Sequence, residues 1–365
     1  MSIPFLTPAA TPDGALSHGC NPVDGCRGGG SVVHTCRGIV GNPLPRLIIV
    51  RAITRGGNVP AMSRLNPVVA SHLAAGGDEP RLKLAVQRSG RLTDNTLDLL
   101  RAIGLQFESY GQRLYSHCRN FPLSILYGRD DDIPEYVALG TVDLGIVGRN
   151  LIVEENVQIE ELLPLGFGYC SLVVAVPRDA PYQTPTDVME GTIATSYPGS
   201  ARRYFTELGG HPEIITLSGS VEVAPSLGLA DAIVELTATG STLLLNDLRS
   251  IGTVLESEAV LAANPAALAE PTRRANIDRL LLRINAVRAA RRYKYLMMNA
   301  PESALPAIRA VVPGLKSPTI VPLADPGWVA VHTAIEEDLF WESIERLREA
   351  GATEILVSSL EKLML

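Results

Sequence analysis

Residues 219–248 read GSVEVAPSLGLADAIVELTATGSTLLLNDL, and the order of textures in that stretch decides the fold. Leu229, Ala230, Ala232, Ile233 and Val234 form an apolar run that ends on Glu235. The chain then opens into Thr237-Ala238-Thr239-Gly240-Ser241-Thr242 ahead of a leucine-rich segment predicted as helix. A buried strand, a small turn and a helix in succession make an α/β unit. A small, hydroxyl-rich turn at the start of a helix presents backbone N–H groups to an anion, so the turn is predicted to hold a phosphate. Glu235, just ahead of it, is placed to grip hydroxyls of a sugar attached to that phosphate.

Upstream, the same grammar repeats. Residues 82–86 (LKLAV) read as a strand, Gln87-Arg88-Ser89-Gly90-Arg91 as a polar loop, and Thr93, Asp94 and Asn95 as the N-cap of a helix that closes at Gly104. Residues 123–126 lead to an acidic turn, Arg129-Asp130-Asp131-Asp132, with Pro134 just inside the next helix. Residues 142–148 (VDLGIVG) read as a further strand. Ligands of open α/β sheets bind beyond the carboxyl ends of the strands, which makes Arg129 and Asp143 site candidates, each with an ordinary loop ion pair as the plain alternative. Residues 170–177 (CSLVVAVP) read as a strand crossing into a second lobe. Residues 191–195 deliver Ser196-Tyr197-Pro198-Gly199 to a helix, where Tyr197 can stack on a base or pack at a lobe interface. Residues 260–263 read as a strand returning to the first lobe, which gives two crossovers and a cleft between lobes.

The ends of the chain differ from its middle. Residues 1–80 carry a Gly-Gly-Gly run at 28–30, scattered prolines and little periodicity, and are expected to be disordered or weakly structured. Two readings stand for them, an organelle transit segment or a translation start at Met62, and the second is preferred. His18, Cys20, Cys26, His34 and Cys36 match no compact zinc spacing. Beyond a helix starting near Pro271, residues 295–299, 303–312, 319–323, 328–335, 338–350 and 354–358 read β-α-β-β-α-β, the ferredoxin-like order. With 365 residues, 46% of them hydrophobic, the chain can bury large cores and fill two or three domains. A net charge of −7 gives no electrostatic case for nucleic acid, and no apolar run approaches the roughly 20 residues of a membrane helix. Five cysteines without framework spacing point to a reducing compartment.

The segments LAVQRSGRL, GRDDDIP, VDLGIVG, IATSYP, SVEVAPSLGLADAIVELTATGSTL and KYLMMNAP, followed by SPTIVPLA, resemble in sequence and order the long form of the ATP phosphoribosyltransferases, over about residues 81–365. The resemblance implies an α/β chain with a two-lobed, periplasmic-binding-protein-like catalytic unit and a C-terminal ferredoxin-like regulatory domain. Its lobes would take residues 81–172 with 256–290, and 173–255, and its regulatory domain 291–365. The implied reaction joins C1 of 5-phosphoribosyl 1-diphosphate to N1 of ATP, with Mg²⁺ carried mainly by the departing diphosphate, as the first step of histidine biosynthesis. Ala238, Thr239, Gly240, Ser241 and Thr242 would hold the 5-phosphate, and Glu222 and Glu235 the ribose, the latter where relatives often carry Asp. Gln87, Gly90, Arg91, Arg129, Asp143 and Tyr197 would serve ATP. Asn299, Leu315, Thr319 and Glu354 would bind histidine as a feedback inhibitor between subunits of a homo-oligomer, from dimer to hexamer. The expected location is the cytoplasm, or a plastid if the first segment is a transit peptide. The alternative function is a non-catalytic two-lobed receptor for small anions or nucleotides.

Overall fold

The computed structural model describes residues 81–108, 114–312 and 314–365. The expectations for residues 1–80 lie outside the described residues.

The first sheet grows from β1 (Leu82–Gln87), whose Leu82, Leu84, Ala85 and Val86 are all buried, the near-continuous apolar run of a strand covered on both faces. It is followed by α1 (Thr93–Ala102), β2 (Tyr115–His117), β3 (Leu123–Gly128), α2 (Ile133–Ala138), β4 (Leu144–Gly148), α3 (Arg149–Glu155) and β5 (Glu160–Pro164). The chain then crosses to a second sheet through β6 (Cys170–Pro177), β7 (Thr192–Thr195), α4 (Pro198–Glu207), β8 (Glu213–Thr216), β9 (Ala232–Thr237), α5 (Ser241–Leu245) and β10 (Leu248–Ser257). It returns through β11 (Ala259–Ala263), α6 (Pro265–Ala269) and α7 (Pro271–Arg292). The sheet orders are β2-β3-β1-β4-β11-β5 and β10-β6-β9-β7-β8. β11, fully buried, runs antiparallel between β4 and β5, so the return strand completes the first lobe, and the two-lobed, twice-crossed plan expected of the chain is the one it has.

Three local expectations change. Thr93, Asp94 and Asn95 do not cap α1; its N-cap position is Leu92, which carries no capping side chain, and Gln87 Oε1 instead accepts the Leu92 N–H at 2.9 Å. The strand expected from residue 142 begins at Leu144; Val142 and Asp143 lie in the bend before it, where the Asp143 carboxylate accepts the Lys83 N–H. The leucine-rich helix is a single turn of five residues in which only Leu243 is buried, and the chain passes at once into β10.

The last domain contains β12 (Tyr293–Pro301), α8 (Leu305–Val311), β13 (Thr319–Pro322), β14 (Trp328–Glu336), α9 (Phe340–Glu349) and β15 (Thr353–Ser359), in the antiparallel sheet order β13-β14-β12-β15 of the ferredoxin-like fold. Alternation along β12 sends Leu296, Met298 and Ala300 into a core shared with Ile308 and Leu347, and leaves Tyr295, Met297 and Asn299 on the open face. Among the described residues, no helix is long and apolar enough to cross a membrane.

Candidate active site

In the second lobe, β7 pairs in parallel with both β8 and β9, with Thr195 opposite Thr216 and Val234. Three loops therefore emerge at one sheet edge: Ser196–Tyr197 after β7, the segment bearing Glu222 after β8, and residues 238–240 after β9. The β9 loop is braced from within, since Gly240 N–H donates to Thr237 Oγ1 at 2.8 Å and the Thr239 and Ser241 hydroxyls lie 2.9 Å apart. Gly240, at φ +75°, turns the chain in the left-handed region that glycine adopts without strain. Leu244 N–H is the first in α5 to reach a carbonyl of this turn, that of Gly240, so the N–H groups of Ser241, Thr242 and Leu243 have no carbonyl partner within the helix. A five-residue helix has little dipole, so what the turn offers to an anion is these N–H groups and the exposed Thr239, Ser241 and Thr242 hydroxyls.

Glu235 stands one residue beyond the Val234–Thr195 pair, where β9 leaves the core. Burial pushes its carboxyl up to about 7, against the pull of the Leu236 N–H at 2.9 Å and with a further push from the charge of Glu222. The two glutamates thus share one field. A neighbouring carboxylate and a poorly solvated one together form an environment that welcomes positive charge or a hydroxyl donor.

The first lobe presents the loops after β1 and β3 at its own carboxyl edge. Arg91, Gly90 and Arg129 lie there, all exposed, with Arg129 3.6 Å from Asp131. Gln87 is buried and engaged at both ends of its amide: its Nε2 donates to Asp130 at 2.8 Å while its Oε1 takes the Leu92 N–H. It ties the two loops together rather than offering an amide to the cleft. Tyr197 packs against the cores of both lobes, and its phenol is held above its usual range by burial, then by Glu235, Asp131 and Asp130, with Arg91 acting the other way. The ring therefore touches both lobes, and the charges of Glu235, Asp131, Asp130 and Arg91 all act on it, so these side chains and the ring form one group at the lobe boundary.

Asp143 is not part of it. Lys83 N–H and Arg273 Nη1 donate to its carboxylate at 2.8 and 2.9 Å, at the amino end of β4, the sheet edge away from the loops. Its side chain, 6% exposed, joins β1 and β4 to α7. Its place at a strand end made it a candidate, and the direction of β4 puts it at the amino end, away from the loops.

In the C-terminal domain, Asn299 Nδ2 donates to Glu354, which takes φ +50° at a bulge between β12 and β15. Both line a concavity of about 420 Å³ with Met297, Ala330 and His332, and Thr319 pairs directly with His332. Leu315, 45% exposed in the loop before β13, does not line this concavity. Asp130, Asp131 and His332, which stand beside these candidates, carry no local pattern in sequence that singles them out. Among the described residues, no three ligating side chains converge as a metal site.

The sequence profile of the ATP phosphoribosyltransferase family matches residues 129–286, and that of its C-terminal domain matches residues 290–362. The ATP phosphoribosyltransferase of Cytophaga hutchinsonii is 44% identical over 283 residues, covering 78% of this chain and 98% of its own. That of Phocaeicola vulgatus is 43% identical over 284 residues, covering 78% and 100%. Among solved structures, an ATP phosphoribosyl transferase (HisG:HisZ) complex from Thermotoga maritima aligns with TM-score 0.50 at 29% identity, covering 56% of this chain and 96% of that one.

Proposed function

Because the chain belongs to the ATP phosphoribosyltransferase family, it transfers phosphoribosyl from 5-phosphoribosyl 1-diphosphate to N1 of ATP, the first step of histidine biosynthesis, and we propose that its two lobes divide the two substrates between them. The second lobe takes the phosphoribosyl diphosphate. Ala238, Thr239, Gly240, Ser241 and Thr242 hold the 5-phosphate, and Glu222 and Glu235 hold the ribose hydroxyls. The first lobe takes ATP, with Arg91 and Arg129 on its phosphates and Tyr197 against the base from the lobe boundary. Gln87 and Gly90 shape the loop that carries Arg91.

The observation that carries this reading is Glu235: a carboxylate with a raised affinity for protons, beside Glu222, directly ahead of a phosphate cradle. As the bond from C1 to the diphosphate oxygen breaks, its electron pair leaves with the diphosphate and positive charge grows on the ribose. The ionised carboxylates face that charge while the N1 lone pair closes on C1 from the other side. Mg²⁺ would come with the diphosphate as part of the substrate and would offset the charge that the leaving group gains.

The C-terminal domain serves regulation: Asn299 and Glu354 receive histidine, with Thr319 and His332 at the next position of the sheet. Leu315 contacts it from a neighbouring copy in a homo-oligomer of up to six chains. The buried, unpaired Cys118 and Cys170 fit a reducing compartment, and we assign the protein to the cytoplasm. The test is to mix the purified protein with ATP, phosphoribosyl diphosphate, Mg²⁺ and pyrophosphatase and follow the absorbance of the N1-substituted product. Thr239→Val is expected to weaken phosphoribosyl diphosphate and leave ATP binding alone; the reverse pattern overturns the division of substrates.

A further inference from the structure

By its packing, α3 belongs to the first lobe, with Leu151 and Ile152 among Ala85, Ile133, Val147 and Val260. Its first residues are fastened to the crossover between lobes. Arg149 N–H donates to Glu258 O at 3.0 Å, Asn150 N–H to Ser257 Oγ at 3.0 Å, and that hydroxyl back to Asn150 Oδ1 at 2.9 Å. Its last turn reaches the second lobe. Glu154 Oε1 accepts the Gly199 N–H and Oε2 the Ser200 N–H, each at 2.7 Å, at the start of α4. Arg203 of α4 returns a bond to the carbonyl of Val153. Two oxygens on two adjacent N–H groups fix an angle as well as a distance, and the positive end of α4 favours the carboxylate there.

A second observation is independent of charge. A Cβ at position 199 would lie 2.8 Å from the Glu154 carbonyl oxygen, so backbone meets backbone and only glycine allows the approach. Both features act immediately beside Tyr197, the ring that spans the two cores.

We propose that Glu154 is a positioning residue: its clasp on the start of α4, admitted by Gly199, sets the angle at which the two lobes present their substrates to each other. The proposal rests on the assignment of phosphoribosyl diphosphate to the second lobe and ATP to the first. N1 and C1 then approach from separate bodies. An angular error at the clasp misaligns the pair and leaves each substrate's own binding loops intact.

The test uses the full-length chain and the variants Glu154→Gln and Gly199→Ala, one removing charge and the other opening the contact by bulk. Amide exchange over residues 199–203 is expected to quicken in both. Their kcat should fall about tenfold or more, while calorimetric affinity for phosphoribosyl diphosphate with Mg²⁺ changes by less than about threefold. Unchanged exchange, or unchanged kcat in a folded variant whose exchange has quickened, overturns the proposal. So does a parallel loss of kcat and phosphoribosyl diphosphate affinity, which would place the effect in the pocket rather than between lobes. Should Glu154→Gln fail to fold, Gly199→Ala reads the same contact with every charge retained. The division of substrates fails separately, if wild-type binding of phosphoribosyl diphosphate is insensitive to Thr239→Val.

Discussion

At the level of single residues, Glu235 and Asp143 are both acidic and lie on neighbouring sheets, and their surroundings give them opposite duties. Glu235 holds its proton up to about pH 7 because burial, opposed by one N–H and helped by Glu222, disfavours its charge. In the proposed reaction its ionised form faces a positively charged ribose, so kcat/KM is expected to rise through an inflection near pH 7 and to lose that inflection in Glu235→Gln. A wild-type profile flat from pH 6 to 8.5 would sink this reading. The same shift has a stability signature. Between the ordinary 4.5 and about 7 the folded chain binds this proton more tightly than the unfolded chain. The contribution of Glu235 to stability is therefore greatest below 4.5 and falls until pH passes 7. Denaturant melts should find Glu235→Gln more stable than wild type above pH 7, by roughly 2–3 kcal/mol, and nearly equal at pH 4. Asp143 is in a different position, with both its donors in place. Asp143→Asn should lower stability by about 1–3 kcal/mol, since Arg273 is partly exposed and recovers some hydration, with KM for ATP unchanged. A raised KM for ATP in a well-folded Asp143→Asn protein would return it to the site.

At the level of elements, the return strand β11 is anchored by the residue just past its end. Asn264 accepts the Ala266 and Ala267 N–H groups at the start of α6 and donates to the Val137 carbonyl at the end of α2. Asn264→Ala should cost about 1–2 kcal/mol in a thermal or denaturant melt, with kcat unaffected at temperatures below the transition. On the open face of the last sheet, Asn299→Ala or Glu354→Ala should weaken inhibition by histidine without changing the uninhibited rate; equal inhibition in both variants would move the inhibitor elsewhere. Strands were legible in sequence wherever apolar residues ran together, as in β1, β6 and β9, and the alternation of β12 and β14 made the last domain legible too. β10 was not, because Arg249, Ser250, Gly252 and Thr253 break its pattern and its pairing with β6 slips twice. That Glu235 stands just ahead of the hydroxyl-rich turn after β9 was legible because the two are contiguous in the chain. Gln87, Asp143 and Glu154 were not, since their roles depend on strand direction and on partners 43 to 130 residues away, which no local pattern records.

At the level of the whole molecule, the order of strands matters more than any one of them. The second lobe is an insertion between β5 and β11, and β11 lies between β4 and β5 in the first. β4 and β5 therefore have no direct pairing with each other, and what joins them is a segment that comes almost ninety residues after β6 begins. A ribosome making this chain releases β1, β3 and β4 early and must then extrude the entire second lobe before the first can be closed. During that interval the edges of β4 and β5 are open to foreign strands. The inserted lobe, whose five strands are consecutive from β6 to β10, has every pairing it needs as soon as β10 emerges. Synthesis thus favours completion of the second lobe before the first, and chains halted short of residue 259 should be the ones that chaperones hold.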